Sequence, residues 1–344
     1  MSVSIRRGWV RRGWVLWSGL LVISLVVGDA RAGEIPYIAV IEKVAGAVGF
    51  FTEDGKQLGQ VKVGSFPHEG VVSEDGRFLY VGNNGVLWMT EDSMGANTIS
   101  VVDIGAMKKV TDIDLGRFHR PHGMAWLPGS DFLLATTERP FGLIVVNPAA
   151  RQVVRDYTVN GKSPHMVFPP PGGQWAFVSN ADSDSVAVIE LKTGRVKLIR
   201  AGAHPQGGVF SPDGSRLYVT ATNSNQVAVI DTHTQEVLGT ITTGKGPSRI
   251  AITPDGKTLV YNLQYQPGVG FADVVSHKQV ATITIGGRPL SLTMTRDGHR
   301  AFAGIQDQDQ VLFISVPERR IERVMETPKG SGPDPAIPLA PHSK

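Results

Sequence analysis

Apolar positions along this chain come in short bursts separated by turn residues. RFLYVGN, DFLLATTE, QWAFVSN, SRLYVTA, KTLVYNL and HRAFAGI are six such bursts. Each is followed by a second, from ISVVDI and LIVVNP to VLFISV, and then by a third, from VTDIDLG and VRDYTVN to RVMETP. The bursts are rich in β-branched and aromatic residues and are bounded by Gly, Pro, Asn and Asp, which predicts strands. Beyond the first 32 residues no helical periodicity persists past a turn or two.

The bursts repeat in register with a set of prolines. Pro67, Pro121, Pro164, Pro205, Pro247 and Pro289 are spaced by 54, 43, 41, 42 and 42 residues. Eight residues after each comes a turn, such as Asp75-Gly76, Asp213-Gly214, Asp255-Gly256 and Asp297-Gly298. Asp-Gly is a strong hairpin signal because both residues tolerate positive φ. Four strands at a period near 42 residues form one propeller blade. The expected fold is therefore all-β, a seven-bladed β-propeller of four-stranded blades. Tyr37–Lys43, Val48–Asp54 and Gln57–Gly64 supply three strands before the first proline, and PDPAIPLAP (333–341) supplies a fourth from the far end. Strands from both termini would then close the ring in one blade and remove its free edges.

The first 32 residues follow a different pattern. Arg6, Arg7, Arg11 and Arg12 precede the apolar run Val15–Val27, and Ala30-Arg31-Ala32 ends it. This is the layout of a secretory signal peptide, with an apolar run short for a membrane span. The expected organisation is a signal peptide over 1–32 and a single propeller domain over 33–344, periplasmic or secreted, with no span after cleavage. The leader holds five of the arginines and one aspartate, which leaves 29 basic and 30 acidic residues behind it. The sequence pI near 9.1 thus belongs largely to the leader and does not favour a nucleic-acid partner. There is no cysteine, which removes disulfides, thiolate nucleophiles and covalent c-type haem.

The stretch LYVTATNSNQVAVIDTHTQEVLGTITTGKGPSRIAITPDGKTLV resembles the YVTN-type β-propeller repeat. Tyr218-Val219-Thr220 carries the name-giving core, Ser211-Pro212-Asp213-Gly214 the hairpin and Val229-Ile230-Asp231 the third strand. The likeness spreads over the whole chain behind the leader. Among propellers of this architecture the resemblance admits surface-layer proteins, lactonase-like enzymes, haem-carrying domains and streptogramin-lyase-like enzymes, so function is argued from the site.

Three groups of residues should meet at the mouth of the channel. The residues after the prolines include His68, His122 and His165 in three consecutive blades, then Gln206, Ser248 and Leu290. The ends of the second strands bring Asn83, Asn84, Glu138 and Asn180. The long first interval places its extra residues between Tyr80 and Val101, in a loop with Trp88, Met89 and Met94. A long loop on a rigid scaffold is a usual seat of function. Three converging imidazoles can bind a divalent metal, the candidate cofactor, with Glu69 or Glu138 as fourth ligand or general base. Arg120 and Arg249 could draw an anionic ligand to the same face, together with Asn180. The pattern Pro121-His122-Gly123 with Thr136-Thr137-Glu138 is similar to streptogramin-lyase-type blades.

Three functions stay open at this point. The leading one is a monomeric exported scaffold that engages a protein partner or a small ligand at the mouth. The second is a metal-dependent lactonase-like hydrolase or streptogramin-lyase-like enzyme. The third is an accessory of a periplasmic redox system, holding a metal or a non-covalent haem.

Overall fold

The computed structural model describes residues 34–339, together with Met1. Apart from Met1, the expected signal peptide lies outside the described residues. Among the described residues no helix is long and apolar enough to cross a membrane.

The chain forms seven antiparallel blades of four strands around a channel. Blade one runs Pro67–Val72, Phe78–Asn83, Thr98–Asp103 and Lys108–Asp114 from the channel outward. Blade two starts at His119–Trp126 and continues through Leu133–Arg139, Phe141–Asn147 and Gln152–Tyr157. Blades three to six repeat the plan from Pro164, Pro205, Pro247 and Pro289. Blade six has a short inner strand, Thr293–Met294, preceded by a bridge between Pro289 and Ile305.

Blade seven is built from both ends of the chain. Its strand order is Pro333–Pro338, Ile38–Glu42, Ala47–Phe51 and Gln57–Lys62. The prolines of PDPAIP are compatible with a strand because this one lies at the inner edge, where one side of the backbone needs no ladder partner. Pro333 stands opposite Glu42 as Pro67 stands opposite Asn83 and Pro121 opposite Thr137.

Apolar side chains of the middle strands pack between neighbouring blades. One cluster joins Tyr80 and Ile99 of blade one to Leu133 and Ile144 of blade two. The cluster at the closure joins Ile38 and Phe51 of blade seven to Phe302 and Phe313 of blade six. Outer strands are mostly exposed; in Lys108–Asp114 only Ile113 is buried. Hairpins between the first two strands reuse one device. In blade four Ser211 Oγ and the Ser215 N–H both donate to Asp213 Oδ1, at 2.5 and 3.0 Å, while Gly214 takes φ +72°. These bonds favour the ionised carboxyl and hold Asp213 down at about 2.

Candidate functional site

A belt of hydrogen bonds fixes the residues that follow the prolines. In blade two, Thr136 Oγ1 accepts from the Gly123 N–H at 2.8 Å and donates to the His165 carbonyl of blade three, also at 2.8 Å. Ser179 repeats this toward the Gln206 carbonyl at 2.6 Å, and Thr220 toward the Ser248 carbonyl at 2.6 Å. In blade five the side chain of Asn262 takes the same place, accepting from the Arg249 N–H and donating to the Pro289 carbonyl. Adjacent inner strands approach so closely that a Cβ on Gly123 would lie 2.5 Å from the His165 carbonyl oxygen. The glycine of Pro121-His122-Gly123 is thus a packing requirement. The histidine is a choice.

The three expected histidines do meet. His68 and His122 have ring centroids 4.2 Å apart, and His122 and His165 4.3 Å apart. All three are buried. Burial keeps each below its ordinary pKa, with nearby Lys43 adding to the effect on His68, and Arg249 on His165. His122 is well below the usual value because burial is reinforced by its two imidazole neighbours.

Each ring has different company. His122 Nδ1 is 2.7 Å from Glu138 Oε1, so the hydrogen on Nδ1 goes to the carboxylate and Nε2 keeps its lone pair. That Nε2 is buried without a hydrogen-bond partner among the described residues. Burial raises Glu138, and Arg120 and Asn84 oppose the rise. His68 Nδ1 lies 2.6 Å from Asp334 Oδ2 and 2.8 Å from Lys43 Nζ, and Lys43 also reaches Asp334 at 3.3 Å. Burial works against the charge of Asp334, but His68, Lys43 and Arg249 outweigh it and hold the carboxyl below the usual range. His165 has no carboxylate. Arg249 Nη1 lies 3.5 Å from both of its ring nitrogens, which is contact rather than a directed bond. Arg249 Nη2 instead spans the channel to Glu69 Oε1 at 2.5 Å.

Two residues of this network carry no signal in a list of histidines. Pro333 is the seventh anchor, so Asp334 occupies the position of His68, His122 and His165. Its distance of 44 residues from Pro289 is the signal that finds it. Lys43 follows the second strand of blade seven as Glu138 extends that of blade two beyond Thr137.

Two expected ligand residues are otherwise engaged. Arg120 is 2 % exposed and ties down the inserted loop, donating to the carbonyls of Glu91 at 3.0 Å and Met89 at 2.9 Å, and to Glu138 Oε2 at 2.7 Å. It sits at φ +56°, at the sharp bend that leads into the inner strand. Asn180 donates to the Val159 carbonyl in the link between blades two and three at 3.3 Å and to Ser185 Oγ of its own blade at 3.4 Å, outside the histidine cluster. The reason is register: Asn180 is opposite Pro164, one position short of the place that Glu138 fills in blade two. The geometry does not assemble a metal-ligating set of three or more His, Asp or Glu among the described residues. The imidazoles stack edge to face or tilted instead of aiming three lone pairs at one point.

With this geometry in hand, comparison places the chain. Residues 149–332, more than half of the sequence, match the family described as Lactonase, 7-bladed beta-propeller. The chain belongs to that family. No curated protein matches this lactonase-family chain. The periplasmic gluconolactonase PpgL of Pseudomonas aeruginosa is similar at TM-score 0.70 and 18% identity, over 88% of this chain and 99% of that one. Hydrazine synthase of Kuenenia stuttgartiensis is similar at TM-score 0.68 and 21% identity, over 82% and 96%. A functionally unknown protein of Desulfotomaculum acetoxidans is similar at TM-score 0.74 and 13% identity, over 89% and 99%. At these identities the structural likeness speaks for the propeller fold and not for an activity.

Proposed function

We propose that this lactonase-family propeller is an exported hydrolase that opens a lactone at the mouth of its channel. The observation that carries this reading is the pair Glu138–His122, whose orphaned Nε2 is an oriented base at neutral pH. Water forms a bond to the lactone carbonyl carbon as its proton passes to Nε2. Collapse of the tetrahedral intermediate breaks the ring C–O bond, and the imidazolium returns the proton to the leaving oxygen. The product is a hydroxy acid. Lys43 beside His68 and Arg249 beside His165 supply positive charge on both flanks of His122, which favours a developing oxyanion. The layout of residues 1–32 and the likeness to a periplasmic gluconolactonase support export.

The test is a pH-stat assay on γ- and δ-lactones with chelator-treated protein. Hydrolysis should fall about 10²–10⁴-fold in His122→Gln and Glu138→Gln. Wild-type rates in both variants would sink the proposal, as would the absence of any hydrolysed lactone. Binding without turnover would instead support a ligand-holding scaffold.

A second reading rests on the carboxylates behind His122 and His68, since metal-bound imidazoles commonly turn their other nitrogen to a carboxylate. In that case His68, His122 and His165 would hold a divalent ion after a change of ring orientation. Elemental analysis of the purified protein decides it. A stoichiometric metal lost in His68→Gln and His165→Gln would favour this reading over metal-free base catalysis.

A further inference from the structure

The insertion of blade one and the hairpin between the second and third strands of blade two border an open cleft beside the channel mouth. It has a volume of about 440 Å³ and is lined by Met94, Arg117, Glu138, Arg139, Pro140 and Phe141. This size falls in the range of small-molecule sites. Met94 and Phe141 are 56% and 45% exposed, so two large apolar side chains meet solvent at one place. Glu138 on its wall is the carboxylate that orients His122, so the cleft and the base share a residue.

The cleft also has a weakly held cation. Arg139 lines it with a side chain 39% exposed, and its Nε is buried without a hydrogen-bond partner among the described residues. The only ion pair of Arg139 among the described residues reaches Asp92, whose side chain is fully exposed, at 3.0 Å. Arg117 likewise meets Asp156 in solvent at 3.0 Å. Exposed pairs of this kind bind weakly and yield readily to a better acceptor. The combination is an apolar wall beside a guanidinium whose ion pair is held only in solvent.

We infer that the cleft seats an organic acid with an apolar body, its alkyl or aryl part on Met94, Pro140 and Phe141 and its carboxylate on Arg139. This rests on the lactone reading above and extends it: the acid is the ring-opened product, and the substrate is a lactone bearing an apolar substituent. Substituted lactones then outcompete bare rings because their substituent has a place to go.

Calorimetry with octanoate, octanamide and acetate tests the cleft without turnover. Octanoate should bind, while acetate should not, and octanamide should bind about tenfold more weakly than octanoate. Phe141→Ser and Met94→Ser should each weaken octanoate about tenfold. Arg139→Gln should erase the preference for the acid over the amide. Two apolar variants on separate segments, each checked by its melting curve, keep a folding defect from passing as lost binding. Octanoate no tighter than acetate would overturn the inference, as would wild-type binding in both Phe141→Ser and Arg139→Gln. If lactones are hydrolysed but octanoate does not bind, the cleft assignment fails alone. If octanoate binds as described but no lactone is opened, the hydrolase reading fails and the acid-binding cleft stands.

Discussion

The two halves of the channel wall occupy the same scaffold position and carry different chemistry. On one side the residues after the anchor prolines are Asp334, His68, His122 and His165; on the other they are Gln206, Ser248 and Leu290. The belt of Thr136, Ser179, Thr220 and Asn262 runs through both halves with similar distances. The repeat therefore specifies where the backbone goes and leaves the side chain free. Where that freedom has gathered imidazoles and carboxylates, function is the better explanation, because a stable ring does not need them. Buried ion pairs are a poor way to gain stability.

Substitutions can break this contrast. The largest effect expected is on turnover: His122→Gln should lower kcat by about 10²–10⁴-fold, while Ser248→Ala on the opposite wall leaves it unchanged. Single-turnover and steady-state rates on one lactone would check both. Next is stability. Asp334→Ala removes the partner of buried Lys43 and should cost about 3–5 kcal/mol in denaturant unfolding. Gln206→Ala, at the equivalent place in blade four, should cost about 1 kcal/mol.

The belt should show no such asymmetry. Thr136→Val and Thr220→Val each strip a hydroxyl that bridges two blades, and each should cost about 1–3 kcal/mol. A large difference between them would mean that the scaffold itself is specialised on the histidine side. The smallest effect is the pH dependence of melting. His68, His122 and His165 have pKa values below 6.5 in the folded state, so the unfolded chain binds more protons as the pH falls through that value. Stability is thus present above pH about 6.5 and declines on acidification, by a few degrees between pH 7 and 5. His165→Gln should flatten the slope, and Gln206→Ala should not.

The ring was legible because its signals are local and repeated. A proline, a turn eight residues on (Asp-Gly in blades one, four, five and six) and three β-branched bursts recur through the first six blades. The convergence of His68, His122 and His165 followed from the same count. What the count could not supply was orientation. Arg120 sits next to the anchor, but its guanidinium is taken by carbonyls of a loop about thirty residues earlier. Asn180 comes at the end of its strand, yet one step of register keeps it out of the histidine cluster. Lys43 and Asp334 are 291 residues apart and become neighbours only when blade seven closes. No window of sequence, however patterned, contains such a pair.

That closure has a consequence for the life of the molecule. Pro333–Pro338 completes the last sheet and, with Asp334, the charge balance around His68. Sheet completion and charge pairing around His68 therefore arrive in one step. A chain clipped before residue 333 would lose its seam and the buried carboxylate partner of His68 and Lys43 together. Closure thus couples two ends of the chain to one buried charge network, so that seam and network stand or fall as a unit.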